Sequence, residues 1–208
     1  MNTCLDCGRI FKNDILLGEY NSCPILECNG EVVDIDDNIL ETILLLNQKG
    51  YPTKFCCSGH TWGGDPYILF EDGITERTFE SLPNDFITDP SPTDGLVIRK
   101  SISGTGKTDK LIALSEASID LIKWADSLPA SVYLSIHFYL PADVTLEDFS
   151  NELLKEFKLS SYEHTIVQES QLLLTIDMIV SSKKYKQLNT ELREFANRHK
   201  AKLNIERF

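Results

Sequence analysis

Apolar positions along this chain switch between a helical period and strict alternation, and each switch marks an element. Ile39, Ile43 and Leu46 form a helical stripe that begins after Asp36-Asp37-Asn38 and ends at Gly50. Asn38 stands where a cap belongs and Glu41 lies three residues on, so the spacing predicts a helix opened by a capping box. Residues 53–57 and 67–70 read as strands, and 96–100 as a third. Residues 115–128 read as a helix with Ile119, Ile122 and Ala125 on one face and Leu121 and Trp124 beside them. Pro129 sets its exit, because proline disfavours helical backbone in the residue before it. Residues 85–95, with Pro90, Pro92 and several acids, read as a surface loop.

The last third has the clearest pattern. Residues 132–140 alternate as a strand, 141–143 turn, 145–157 are helical, and 162–168 and 172–180 make two more strands. A helix over 182–198 then leads to 201–207. This βαββαβ order is that of a ferredoxin-like sandwich, with helices on one face of an antiparallel sheet. By that pattern the carboxyl third resembles the ribonuclease E inhibitor family, which implies a binding or regulatory domain. His137 and His164 fall in these strands and are expected to be structural, and Asp177 marks a solvent-facing position in an otherwise apolar run.

An apolar content of 42% is enough for a real core. With 32 acidic against 20 basic residues the net charge is −12, which argues against a nucleic-acid partner. The acids concentrate early, whereas from Ser181 onward basic residues outnumber them, as on the solvated face of a terminal helix. No stretch approaches the apolar length of a membrane span. The first residues carry no basic stretch, apolar run or cleavage site of a secretory signal, so a cytoplasmic chain with reduced thiols is expected.

Four early cysteines change the picture most. Cys4 and Cys7 form one close pair and Cys23 and Cys28 another, the spacing that lets four thiolates turn toward one tetrahedral zinc. Gly8 and Gly30 follow the two pairs closely, as in tight knuckles. Two disulfides are the competing reading of an even cysteine count. The segment 1–37 resembles a zinc ribbon, with residues 9–17 and 31–35 as its strands. A four-cysteine site is closed: it supplies folding energy and no open position for chemistry.

Ser58-Gly-His-Thr-Trp-Gly-Gly-Asp-Pro66, directly after Cys56 and Cys57, is the expected functional loop. Cys57 and His60 are candidate ligands of a second metal, although no further pair is evident in the sequence. A thiolate on Cys56 or Cys57 with His60 as base is the second possibility, again with no evident third orienting group. The third is a pocket in which exposed backbone N–H groups around Ser58 and Gly59 and around Gly63 and Gly64 hold an anion or polar ligand covered by Trp62, so that Cys57, Ser58, Gly59, His60 and Trp62 are the candidate ligand-binding residues. A glycine-rich hairpin with a packed cysteine is the purely structural alternative. The run Gly50-Tyr-Pro-Thr-Lys-Phe-Cys-Cys-Ser-Gly-His60 resembles small uncharacterised bacterial and phage proteins. It is also similar to the Cys-Ser-Gly-Arg loop of the wybutosine-synthesising tRNA methyltransferase family, with His60 in place of the arginine.

Ser101-Ile-Ser-Gly-Thr-Gly-Lys-Thr108 looks like a phosphate-binding loop whose first glycine is replaced by Ser101, and a polar hairpin tip accounts for it more simply. The sequence thus predicts an α+β protein in three parts: a zinc ribbon at 1–37, a central αβ region at 38–130 and a ferredoxin-like domain at 131–208. The expected role is zinc-stabilised binding or regulation of an unknown protein or small-molecule partner. The alternative is an enzyme acting on a small molecule or modified nucleoside through Cys57 and His60.

Overall fold

The computed structural model describes residues 1–11, 22–28, 30–89, 95–157, 159, 165–168 and 171–208. Among these are four helices and three sheets of three, four and four strands, an α+β protein. The described residues divide into two compact units, one drawn from 1–70, 82–90 and 97–128, the other from 71–81, 91–96 and 129–208.

The first unit opens with a small antiparallel sheet in which β1 (Asn2–Cys4) lies between β2 (Ile10–Phe11) and β3 (Val32–Asp34). The β1 strand was not foreseen, and of the two strands expected here residues 12–17 lie outside the described part. Helix α1 (Leu40–Gln48) follows, with Ile39, Ile43 and Leu46 at most 1% exposed, so the apolar stripe is what docks it. Its cap differs from expectation: Ile39 takes the cap position without a side-chain bond, because a turn closes from the Ile39 N–H to the Asp36 carbonyl at 3.0 Å. Strands β4 (Thr53–Cys57), β5 (Tyr67–Phe70), β6 (Ile87–Asp89) and β7 (Val97–Arg99) form an antiparallel sheet in the order β4-β5-β7-β6. Part of the segment read as a surface loop is therefore a short edge strand, β6.

Helix α2 (Lys107–Ser127) begins a full two turns earlier than its apolar periodicity suggests. Its buried stripe is Leu114, Ala117, Leu121, Trp124 and Ala125, while Ile119 is 49% exposed. The expected face was rotated because it was built on Ile119 rather than on the small Ala117, which is completely buried. The Lys49 ammonium donates to the carbonyls of Ala125 and Leu128 at 2.9 and 2.8 Å, placing a positive charge at the carboxyl end of α2. The Ser101–Thr108 stretch is a strand-to-helix connection, not a hairpin tip. The Ile102 N–H and the Ser101 hydroxyl both donate to the Asp65 carboxylate, at 3.0 and 3.2 Å, so the anion this loop holds is the chain's own.

The second unit runs β8 (Ser131–Leu140), α3 (Leu146–Phe157), β9 (Thr165–Gln168), β10 (Gln171–Ser181), α4 (Tyr185–Arg198) and β11 (Lys202–Arg207). Its sheet is antiparallel, in the order β11-β8-β10-β9. Alternation along β8 sends Val132, Leu134, Ile136, Phe138 and Leu140 to one face, where they meet Leu174, Ile176, Met178 and Val180 of β10. Phe149, Leu153 and Phe157 of α3 and Leu188, Leu192 and Phe195 of α4 close over that face. Phe149 packs edge-on against both Phe138 and Phe195 with ring centroids 5.2 Å apart. Residues 71–81 join this unit: the Ile179 N–H donates to the Gly73 carbonyl at 2.8 Å, and the Thr78 hydroxyl to the Ile179 carbonyl at 2.7 Å.

His137 is a satisfied strand residue, its Nδ1 3.0 Å from the Thr175 hydroxyl, and Asp177 is exposed. His164 lies outside the described residues. Several members of the basic terminal run serve the fold: Lys184 donates to the carbonyls of Arg77 and Phe79, Arg198 pairs with Glu156, and Arg207 lies over the Tyr185 ring. Among the described residues no helix is long and apolar enough to cross a membrane.

Candidate functional site

The four early cysteines converge. Their sulfurs all lie within 4.8 Å of one another, with Cys4 and Cys23 buried, Cys28 half-buried and Cys7 exposed. Cys4 and Cys28 are separated by 3.7 Å between Sγ atoms, as are Cys7 and Cys23. A disulfide would draw each pair to about 2.05 Å. Four thiolates at about 2.3 Å from one zinc stand about 3.8 Å apart along a tetrahedron's edges, so the observed spacing fits a cation in the middle.

The local chain explains why the sulfurs face inward. In the first knuckle the Gly8 N–H bonds the Cys4 carbonyl at 2.9 Å, and Gly8 takes φ +69°, a backbone state open to glycine. Backbone N–H groups of Asp6 and Cys7 turn toward the Cys4 sulfur, that of Arg9 toward Cys7 and that of Ile25 toward Cys23, donors that favour thiolate over thiol. Burial acts the other way on Cys4 and Cys23 and raises them, whereas the Arg9 N–H holds Cys7 below its ordinary value.

The second knuckle differs from the glycine-based expectation. Its left-handed residue is Glu27, at φ +71°, and the Cys28 N–H bonds the Ile25 carbonyl at 3.0 Å. Gly30 has another job: a Cβ there would meet the Cys4 sulfur at 2.6 Å, so the glycine lets one knuckle approach the other. The wider spacing of the second pair is accommodated by that one strained residue.

The central loop joins β4 to β5. Gly59 takes φ +79°, and a Cβ there would stand 2.6 Å from a Leu114 methyl of α2 and 3.0 Å from Pro66, so both its conformation and its packing demand glycine. The turn at its tip is set by the Gly63 N–H to the His60 carbonyl and the His60 N–H to the Gly64 carbonyl, both 3.2 Å. Cys57 Sγ lies 3.7 Å from His60 Nε2 and receives the Gly59 N–H at 3.3 Å. Trp62 stacks flat on His60, ring centroids 4.5 Å apart and planes 5° apart, and is 83% exposed. Trp62 thus clamps the imidazole rather than roofing a pocket.

Two expectations change here. Cys56 is the weaker nucleophile candidate of the two thiols, because burial, then the Asp36 and Cys57 charges, push it up to about 12. The missing third group is Asp36. Its carboxylate, Cys57 Sγ and His60 ligand atoms lie within 4.8 Å of one another. Asp36 Oδ2 accepts from the Ser58 N–H at 3.0 Å and from the Ser58 hydroxyl at 3.2 Å. The Ser58 N–H is the main cause of an Asp36 pKa below the ordinary carboxylate range, so the group is anionic at neutral pH. In the sequence Asp36 reads only as part of a helix start, 22 residues before Ser58, and no local motif marks it. The loop therefore brings together Cys57, Ser58, Gly59 and His60, as read from the sequence, and adds a partner that sequence reading missed.

No family model matches the chain, and no match was found among curated proteins or solved structures.

Proposed function

We propose that this is a zinc-stabilised binding or regulatory protein whose ligand or partner meets the loop from Cys57 to Trp62. The observation that carries the reading is the contrast between a complete set of four sulfurs and a polar group with an exposed aromatic stacked on it. The four-cysteine set is spaced for a closed tetrahedral site and has no vacant coordination position. The β4–β5 loop presents Trp62 to solvent, 83% exposed and stacked on His60 in the polar group formed with Asp36, Cys57 and Ser58, and Phe55 in β4 is 59% exposed. Exposed aromatics at the rim of a polar site are what recognition requires, and a folding element alone does not.

On this reading the amino-terminal sheet is a zinc ribbon and the carboxyl unit a ferredoxin-like domain, supported by its βαββαβ element order and the sheet order β11-β8-β10-β9. The net charge of −12 and the engagement of Lys184, Arg198 and Arg207 within the fold speak against nucleic acid as the partner. Reduced thiols fit a cytoplasmic setting.

One observation favours a second reading, an enzyme: Cys57 and His60 stand at thiol–imidazole distance with the Asp36 carboxylate beside them. The two readings separate in a thermal-shift screen of a metabolite panel against wild type, Trp62→Ala and Cys57→Ala. A binding protein loses the shift with Trp62→Ala and leaves the compound unchanged. An enzyme converts the compound and stops doing so with Cys57→Ala. If a compound stabilises all three proteins equally, the loop is not the site.

A further inference from the structure

We infer that Asp36, Cys57 and His60 form a second divalent-metal site, of mixed oxygen, sulfur and nitrogen donors, that keeps one coordination position open. The inference rests on reading the Cys57–Trp62 loop as a ligand site, and it names the ligand's class: a soft or borderline cation such as zinc, with a water or an anionic group as its fourth partner.

The geometry is the first argument. A zinc at about 2.3 Å from sulfur and about 2.0 Å from nitrogen sets a tetrahedral S···N edge near 3.6 Å. Cys57 Sγ and His60 Nε2 are 3.7 Å apart. That separation matches the edge expected for two ligands of one ion. All three donor atoms lie within 4.8 Å of one another, although the residues come from two distant parts of the chain.

Ligand support is the second argument. Metal-binding carboxylates and imidazoles are held by neighbours that fix their orientation. Ser58 fixes Asp36 through two donors on a single oxygen, Oδ2, and a carboxylate has lone pairs on both. Trp62 fixes the imidazole plane by stacking. The Gly59 N–H donates to the Cys57 sulfur at 3.3 Å and fixes its direction. Each of the three groups thus has its own device holding it toward the others, which a packing cluster has no need of.

Exposure is the third. Asp36 is exposed and Cys57 and His60 are half-buried, so the site opens to solvent, and unlike the four-cysteine set it offers three donors and not four. Three protein ligands and an accessible fourth position are the arrangement of zinc sites that bind or activate a small ligand.

Cobalt(II) titration of the metal-free full chain tests this, with bound metal counted and sulfur-to-cobalt absorption recorded. Wild type is expected to take two equivalents, and Cys57→Ser, His60→Ala and Asp36→Ala one each, with the strong four-thiolate absorption unchanged. That absorption also reports that the variants are folded. Ser58→Ala, which removes only a supporting donor, should weaken the second equivalent about 10-fold. One equivalent in wild type, or two in Cys57→Ser, overturns the inference. Absence of the four-thiolate absorption in every protein sinks the ribbon reading instead, so the two failures are distinguishable.

Discussion

The amino-terminal sheet and the carboxyl unit solve the same problem in opposite ways. The described core of the cysteine sheet is Cys4, Phe11, Cys23 and Val32, with Ile25 and Cys28 against it, and half of its buried members are thiols. The carboxyl unit buries seventeen residues in one continuous core, among them Phe138, Phe149, Phe157 and Phe195. Apolar burial at about 25 cal/mol per Å² can hold the second against chain entropy, whereas the described core of the first offers far less of it. If the four thiolates hold a zinc as proposed, the difference teaches where stability resides: in a sulfur-bound cation for the sheet, in packed hydrocarbon for the carboxyl unit.

Removing the metal should therefore break the comparison most visibly. A structural zinc contributes apparent binding free energy of about 10–16 kcal/mol at neutral pH, and that energy is folding energy for a module this small. With a strong chelator, hydrogen exchange is expected to lose protection at the Thr3, Cys4 and Val33 amides of β1 and β3, while the Ile136 and Ile176 amides of β8 and β10 keep theirs. Undiminished protection at Thr3 and Cys4 after the metal is gone would mean that hydrocarbon, and not sulfur, holds the sheet.

The mirror experiment acts on the other region. Phe195 is fully buried and touches Phe138, Phe149 and Phe157 by ring contacts, so Phe195→Ala opens a cavity at the junction of both helices and the sheet. A loss of about 3–5 kcal/mol is expected in urea unfolding of the carboxyl unit. Zinc content should stay at the wild-type value. A loss under about 1 kcal/mol would show that the aromatic cluster is not what secures this unit.

The same contrast governs what could be read in the sequence. The alternation of β8 and the order of elements in the carboxyl unit were legible because one face of that sheet is buried and period-two patterning records it. Strands β4 and β5 do not alternate and were legible as short runs of β-branched, aromatic and apolar residues between turn signals. The cysteine pairs were legible because tetrahedral sulfur needs close spacing. What stayed hidden depends on tertiary contact. Asp36 becomes part of a site only when the β4–β5 loop delivers Ser58, Cys57 and His60 to it. The start of α2 was missed because Lys107 to Ile112 exposes Leu111 and Ile112, leaving no apolar periodicity to follow. Strand β6, three residues long with Ile87 exposed, carries no alternation at all.

The finest test of the carboxyl unit's reliance on packing asks how little its charges matter. Arg77 pairs with Glu191 and lies over the Phe157 ring at 4.9 Å, with both charged side chains 31% exposed. Burial pushes the Glu191 carboxyl up, but Gln187, Arg77 and Lys184 together outweigh it and hold the group below its ordinary value. A carboxylate with a depressed folded pKa binds fewer protons in the folded state. Its stabilisation is therefore present above the unfolded value of about 4.3 and is lost as pH falls through the lower folded value. Solvent screening limits such a partly exposed pair to about 1 kcal/mol or less. Arg77→Ala should thus lower stability by about 1 kcal/mol at pH 7, in urea titrations of matched proteins. The gap from wild type should narrow toward pH 3, leaving only the pH-independent stacking on Phe157. If the gap were several kcal/mol and vanished in acid, the carboxyl unit would be held by charge as much as by hydrocarbon, and its contrast with the metal-held sheet would have to be drawn differently.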